Sequence, residues 1–215
     1  MLYFRNMVFV LDHPLAFPNP AFADADGLLA VGGDLSSERL IVAYQNGIFP
    51  WYSEGEPILW YSPHERFVII PDEIRISHSM QRLIRSDKYQ VTWDKDFAGV
   101  ITHCARVKRK GQQGTWITRD MMQAYIALHN QGIAHSVEVW YEDKLVGGLY
   151  GVEIGMVFCG ESMFSLMPNA SKLALIYLCQ TNKYTLIDCQ LHTPHLESMG
   201  GKYMSRKEYI AFLKS

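Results

Sequence analysis

The chain has 215 residues, 48% apolar and 20% charged, the proportions of an ordinary globular protein with one large domain or a core domain plus a small appendage. No apolar run is long enough to span a membrane, and a formal net charge of −2 speaks against a generic nucleic-acid binder. The charge is unevenly placed: residues 1–64 hold two Lys/Arg against seven Asp/Glu, residues 65–119 eleven against six, and residues 120–215 seven against nine, so only the middle segment carries a basic surplus.

The opening "MLYFRNMVFVLDHPLAFPNPAFA" loosely mimics a secretory signal. Arg5 and Asn6 interrupt its apolar run, and Asp12, Pro14, Pro18 and Pro20 follow it, which argues against a cleaved leader. Four cysteines, none in a C-x-x-C pair, point to reduced thiols in a cytoplasmic protein. The rest of the first 64 residues is rich in Pro, Gly and aromatics. One helix is expected there, about Ser37 to Gln45, capped by Ser36 and stopped at Asn46-Gly47. "GIFPWYSEGEPILWYSPHE" reads as turn, short strand and turn. Residues 1–64 are therefore taken as a small N-terminal domain and 65–215 as the main one.

From Arg66 the pattern becomes regular. "RFVII" reads as a strand, Ser77 to Arg85 as a helix with Met80, Leu83 and Ile84 inward, and "YQVTW" as a strand. Phe97, Val100, Ile101 and Cys104 follow helical spacing. A helix from near Thr118 to Gly132 places Met122, Tyr125, Ile126 and His129 on one stripe. "HSVEVWY", "KLVGGLYGVEI" and "MVFCGES" form a three-stranded meander with turns at Glu142-Asp143 and near Gly155. Asn169 is placed to cap a helix running to about Gln180, "LIDCQ" is a strand, and Ser205-Arg206-Lys207-Glu208 is a capping box for a last helix. The fold class is α+β with a mixed sheet.

Several side chains stand out. In "LIDCQLH", alternation puts Asp188 and Gln190 on one face of an apolar strand and Ile187 on the other. They form either a satisfied polar pair at a strand end or a relay in which Asp188 accepts from the Gln190 amide NH₂ and aims its oxygen at a substrate donor. Glu161 in "FCGES" is either a solvated turn acid or a half-buried carboxyl that holds a cation or an amine. Trp51 and Trp116 fall in loops beside Pro or Gly, where an indole caps a core or stacks on a base. Arg75, His78, Arg82 and Arg85 share 3–4 spacing, and Arg106, Lys108, Arg109 and Lys110 cluster. Such cations mean a solvated face or a phosphate-backbone partner. No histidine pair has helical metal-ligand spacing, and His192 and His195 are separated by Thr193-Pro194, which reads as a turn, so no metal is expected. "SLMPNASKL", where an acyl-coenzyme A enzyme would cradle pyrophosphate, has no glycine, which argues against coenzyme A.

The segments "GLLAVGGDLSSERL", "AYQNGIFPWY", "ILWYSP", "GTWIT", "HSVEVW", "LVGGLYGV", "FCGESMFS", "NASKLAL" and "LIDCQ" together resemble the bacterial leucyl/phenylalanyl-tRNA–protein transferases, from about Phe17 to Leu213. The resemblance implies an acetyltransferase-like (GNAT-like) catalytic domain beside the small one. It implies transfer of Leu or Phe, less often Met, from aminoacyl-tRNA to the N-terminal Arg or Lys of an acceptor protein, marking it for degradation, with no metal or coenzyme. It places Asp188, Gln190 and Glu161 at the catalytic centre. Trp51 and Trp116 would contact the terminal adenosine, and Leu149, Phe158, Met163, Leu175, Leu178 and Ile187 would line the pocket for the amino acid. Two rival readings are an acyl-coenzyme A-dependent N-acyltransferase and a non-enzymatic protein that binds tRNA or N-terminal Arg/Lys.

Overall fold

The computed structural model describes residues 8–12, 14–107 and 116–214. Lys108, Arg109 and Lys110 lie outside them. The first sheet holds β1 (Phe9–Leu11), β2 (Leu28–Gly32), β3 (Phe49–Pro50) and β4 (Leu59–Tyr61), in the order β1-β2-β4-β3, with α1 (Ser37–Gln45) between β2 and β3. Strands β1 and β2 run parallel and the other pairs antiparallel. The sequence reading did not foresee β1 or β2, because three to five apolar residues carry no distinguishing period. Helix α1 occupies the expected residues, with the Ser36 hydroxyl accepting from the Arg39 N–H. Gly47 follows it at φ +70°, where a side chain would be strained.

The second sheet begins after Tyr61, with β5 (Glu65–Ile69), α2 (His78–Arg85), β6 (Gln90–Trp93), α3 (Phe97–Arg106) and α4 (Arg119–Asn130). The meander is β7 (Ala134–Tyr141), β8 (Lys144–Ile154) and β9 (Val157–Ser165). Then come α5 (Ala170–Gln180), β10 (Leu186–Asp188), α6 (Pro194–Ser198), β11 (Lys202–Ser205) and α7 (Arg206–Phe212). Seven strands lie in the order β11-β5-β10-β9-β8-β7-β6, and β9–β10 is the parallel pair. The expected mixed α+β sheet is present. The β7–β8 turn falls at Glu142 and Asp143, both at positive φ (48° and 60°), the backbone of a tight two-residue hairpin. The last helix carries its capping box: the Ser205 hydroxyl accepts from the Glu208 N–H, and Glu208 accepts from the Ser205 N–H.

The sheet separates two buried layers. On one side α1, α3, α4 and α7 pack with Tyr44, Val68, Ile101, Tyr125, Tyr150, Val152, Cys159 and Tyr209. On the other α5 packs with Phe67, Ile69, Val137, Leu149, Phe158, Leu175, Leu178 and Ile187.

Four expectations need correction. Helix α4 buries Met121, Tyr125 and Leu128; its inner stripe is rotated from the expected one, and Met122, Ile126 and His129 are half-buried on its flank. Asn169 precedes α5 at φ +67° and makes no side-chain cap, because the left-handed residue turns the amide away from the first helical N–H groups. Thr193-Pro194, read as a turn, opens α6, with Thr193 as its cap. The "LIDCQ" strand ends at Asp188. Gln190 lies beyond it at φ +61°, so strand alternation does not govern its direction.

Candidate active site

Strands β9 and β10 are paired through Leu186–Val157, Ile187–Phe158 and Asp188–Cys159, and then part. Two local features open the gap. The first is Gln190's left-handed turn. The second is a bulge in β9: Tyr150 pairs with Ser162 and Gly151 with Gly160, which leaves Glu161 as the unpaired extra residue. A bulge re-aims side chains and moves every later residue to the other face. Phe158 and Met163 differ in parity, yet both belong to the α5-side layer, while Cys159 and Phe164 share the opposite one.

A cavity of about 460 Å³ fills the gap, a size suited to a small organic group. It is lined by residues of both buried layers, so it passes through the sheet where the strands part. Its inner lobe is hydrocarbon, built by Leu149, Phe158, Met163, Leu175, Leu178 and Ile187. Ile187 reaches it from the α5 face while Asp188 and Gln190 border the other end. Its mouth carries Trp51 and Trp116, both half-buried. The site residues expected from the sequence, apart from the scattered cations, thus meet around one cavity.

The polar end is a linked network. Asp188 is fully buried and accepts from Arg66: Nε lies 3.1 Å from Oδ2, and Nη2 also bonds Oδ2. Arg66 is itself buried. Its guanidinium lies between the rings of Phe49 and Tyr209, 4.7 and 4.6 Å from their centroids, and Nη1 donates to the Gly47 carbonyl. Burial alone would lower the Arg66 pKa, but the Asp188 carboxylate beside it raises it above the ordinary value. This is a closed ion pair with a cation–π sandwich. Asp188 Oδ1 accepts from the Gln190 backbone N–H at 2.8 Å. The expected bond from the Gln190 side chain is not made, since Arg66 and this N–H occupy the carboxylate.

The Gln190 amide NH₂ instead donates to Glu161 Oε1 at 2.7 Å. Glu161 also accepts from the hydroxyls of Tyr44 (2.7 Å) and Tyr125 (3.2 Å). It has no cationic partner among the described residues, and burial pushes its carboxyl up to about 7 against the hydrogen bonds that would lower it. With its NH₂ held, the Gln190 side-chain oxygen accepts from no described residue and is available to a donor in the cavity. The site therefore presents one neutralised carboxylate, one near-neutral acid and one oriented amide beside an apolar lobe.

The sequence reading missed Arg66, Tyr44 and the pairing of Tyr125 with Glu161. An arginine opening an apolar strand is a signal for a buried counterion; the tyrosines carried none beyond helical spacing. His195 also lines the cavity, with its Nε2 buried and unpartnered among the described residues, while His192 bonds Glu197 and meets the Phe67 ring edge-on. Of the cations, Arg75, Arg82, Arg85 and Arg106 are exposed. Arg75 precedes α2, so the expected common helical face does not include it.

Residues 33–64 match the profile of the leucyl/phenylalanyl-tRNA protein transferase N-terminal domain, and residues 68–214 that of leucyl/phenylalanyl-tRNA protein transferase. The chain is 53% identical over 207 residues to the leucyl/phenylalanyl-tRNA–protein transferase of Flavobacterium psychrophilum, covering 95% of this chain and 98% of that one. Its counterpart in Flavobacterium johnsoniae is 51% identical, with 97% and 100% covered. The one in Shewanella loihica is also 51% identical, with 97% and 91% covered.

Proposed function

The chain belongs to the leucyl/phenylalanyl-tRNA–protein transferase family, and from that premise we propose that it moves Leu or Phe, and less often Met, from aminoacyl-tRNA to the N-terminal Arg or Lys of acceptor proteins in the cytoplasm, marking them for degradation. The observation that carries this reading is the through-sheet cavity, apolar at one end and polar at the other. An aminoacyl ester is already activated, so the site need only hold, align and deprotonate an amine. The α-amine has a reference pKa of about 7.7–8.0.

In this reading the inner lobe takes the Leu or Phe side chain, and Trp51 and Trp116 stack on the terminal adenosine. One methylene in an apolar pocket is worth only about 1–3 kcal/mol, so some Met enters. The Gln190 oxygen accepts from the attacking amine. Asp188 acts through the backbone, fixing the left-handed turn by its bond to the Gln190 N–H. Because Arg66 already neutralises Asp188, attraction for the acceptor's cationic groups falls to Glu161. Arg75, Arg82, Arg85 and Arg106, with the adjoining Lys108, Arg109 and Lys110, serve the tRNA backbone. Residues 1–64 and 65–215 act as two domains. The parting of two parallel strands supports an acetyltransferase-like ancestry for the second.

Coenzyme A is disfavoured. At the start of α5 the Ala170 N–H donates to Met167 O at 3.2 Å and the Ser171 N–H to Ser165 Oγ at 3.3 Å, so these donors are taken. The deciding experiment is incubation with radiolabelled Leu-tRNA and a peptide beginning with Arg. Label on the peptide is expected; none, from folded protein, refutes the proposal. Gln190→Ala should slow transfer about 100-fold at an unchanged unfolding midpoint, and full activity would remove the assigned role of the amide.

A further inference from the structure

Behind Glu161, away from the cavity, Tyr44 of α1 and Tyr125 of α4 touch each other and the carboxyl. Tyr44 Oη lies 2.7 Å from Glu161 Oε1, Tyr125 Oη 3.2 Å from Oε2, and the two hydroxyls 2.5 Å apart. Each of these three oxygen contacts needs one proton. With Glu161 ionised the two hydroxyls supply only two, and one contact sets oxygen against oxygen. With Glu161 protonated the ring closes: Glu161 Oε2–H donates to Tyr125, Tyr125 to Tyr44, and Tyr44 to Glu161 Oε1. The Gln190 amide still donates to Oε1. The geometry thus has a place for one more proton, on a carboxyl that lines the cavity.

We propose that Glu161, closed into a ring by Tyr44 and Tyr125, is the proton store of the transfer reaction and takes the proton that the acceptor's ammonium must lose. This rests on the function proposed above. The acceptor R–NH₃⁺ gives one proton to the Glu161 carboxylate and becomes R–NH₂. Its lone pair attacks the ester carbonyl, the C–N bond forms, and the ester C–O bond breaks with its electron pair going to the tRNA oxygen. That oxygen takes a second proton from the nitrogen, leaving an amide and a free tRNA hydroxyl. The stored proton leaves to solvent with the product.

Surrounding groups fit this assignment. Asp188 faces Glu161 from β10 and raises its proton affinity. Arg66 on β5 is committed to Asp188. Burial holds Tyr44, Tyr125 and the Cys159 thiol in their protonated forms. Tyr150 of β8 packs edge-on against Tyr125. With its carboxyl at about 7, Glu161 gives up only roughly tenfold against a bound α-ammonium, where an ordinary carboxyl would give up roughly a thousandfold. Tyr44 and Tyr125 are positioning residues, since they reach the substrate only through Glu161.

The test combines ¹³C NMR titration of Glu carboxyls in the full protein with single-turnover transfer from Leu-tRNA to an Arg-initiated peptide across pH. Glu161, identified by its loss in Glu161→Gln, should titrate near 7, and transfer should fall on the acid side with the same midpoint. Tyr44→Phe and Tyr125→Phe each open the ring, so both midpoints should move together, by about one pH unit. Should these variants fold poorly, 3-fluorotyrosine at either position alters the ring's hydroxyl acidity and should again move both midpoints together. Transfer with an unmoved acid limb in these proteins, or a Glu161 signal that titrates in the ordinary carboxyl range, overturns the proposal. No transfer at any pH by the unsubstituted protein instead sinks the functional reading itself.

Discussion

The two ends of the cavity are made of different matter and impose different rules. On the α5 side Leu149, Phe158, Met163, Leu175, Leu178 and Ile187 offer only hydrocarbon and a thioether, and they tell ligands apart by shape. On the side facing α1 and α4, two carboxyls lie in one buried layer and meet opposite fates. Asp188 is paired with Arg66; Glu161 has only neutral donors, and burial pushes its carboxyl up to about 7. Burial is common to both. The counterion decides whether a carboxyl becomes scaffold or reagent.

The largest way to break that contrast is to remove the counterion. Arg66→Met should cost about 3–5 kcal/mol by leaving Asp188 buried and unpaired, read as a lowered urea midpoint. Adding Asp188→Leu should restore most of it, because no isolated charge then remains. If the double variant is as unstable as the single one, Asp188 is held by something other than its charge partner.

A second break concerns pH. Glu161 has a folded-state value of about 7 against an ordinary 4.5, so between these limits the folded protein holds a proton that the unfolded chain releases. Its stabilising contribution is complete below about 4.5 and is lost as pH rises through about 7, an effect on the order of 3 kcal/mol. Urea unfolding across this window should show the decline, and Glu161→Gln should flatten it.

Smaller effects sharpen the hydrocarbon side. Leu178→Val removes one methylene from the inner lobe and should shift competition between Phe-tRNA and Leu-tRNA about tenfold toward Phe, with the acid limb unmoved. Smallest of all, Arg82→Ala with Arg85→Ala should leave the cavity untouched. It should lower the salt dependence of tRNA binding by about one log–log slope unit per arginine in contact.

Much of the fold was legible because it rests on local chemistry. Ser36, Ser77, Thr118 and Ser205 each cap a helix with a hydroxyl that accepts from the residue three positions on, a signal contained within a few residues. The hairpin at Glu142-Asp143 was equally local. The short strands β1, β2 and β11 were not, since their pairing is supplied by partners distant in the chain. The site was legible in membership but not in wiring. Asp188, Gln190 and Glu161 announced themselves as polar groups in apolar runs. Which of them touch was set by the Gln190 left-handed turn and by Arg66, more than 100 positions away in the chain, and neither is visible in alternation.

The unpaired residue in β9 has a consequence of a different kind. A β-strand is a two-frame text in which odd and even letters are read on opposite sides, and Glu161 is a one-letter frameshift within it. Substituting Glu161 changes a letter. Deleting it removes the offset: with Gly160 joined to Ser162, plain alternation keeps Met163 on the side of Phe158 and Phe164 on the side of Cys159. The acid and the kink that aims it would be lost in one step, while the apolar wall kept its side.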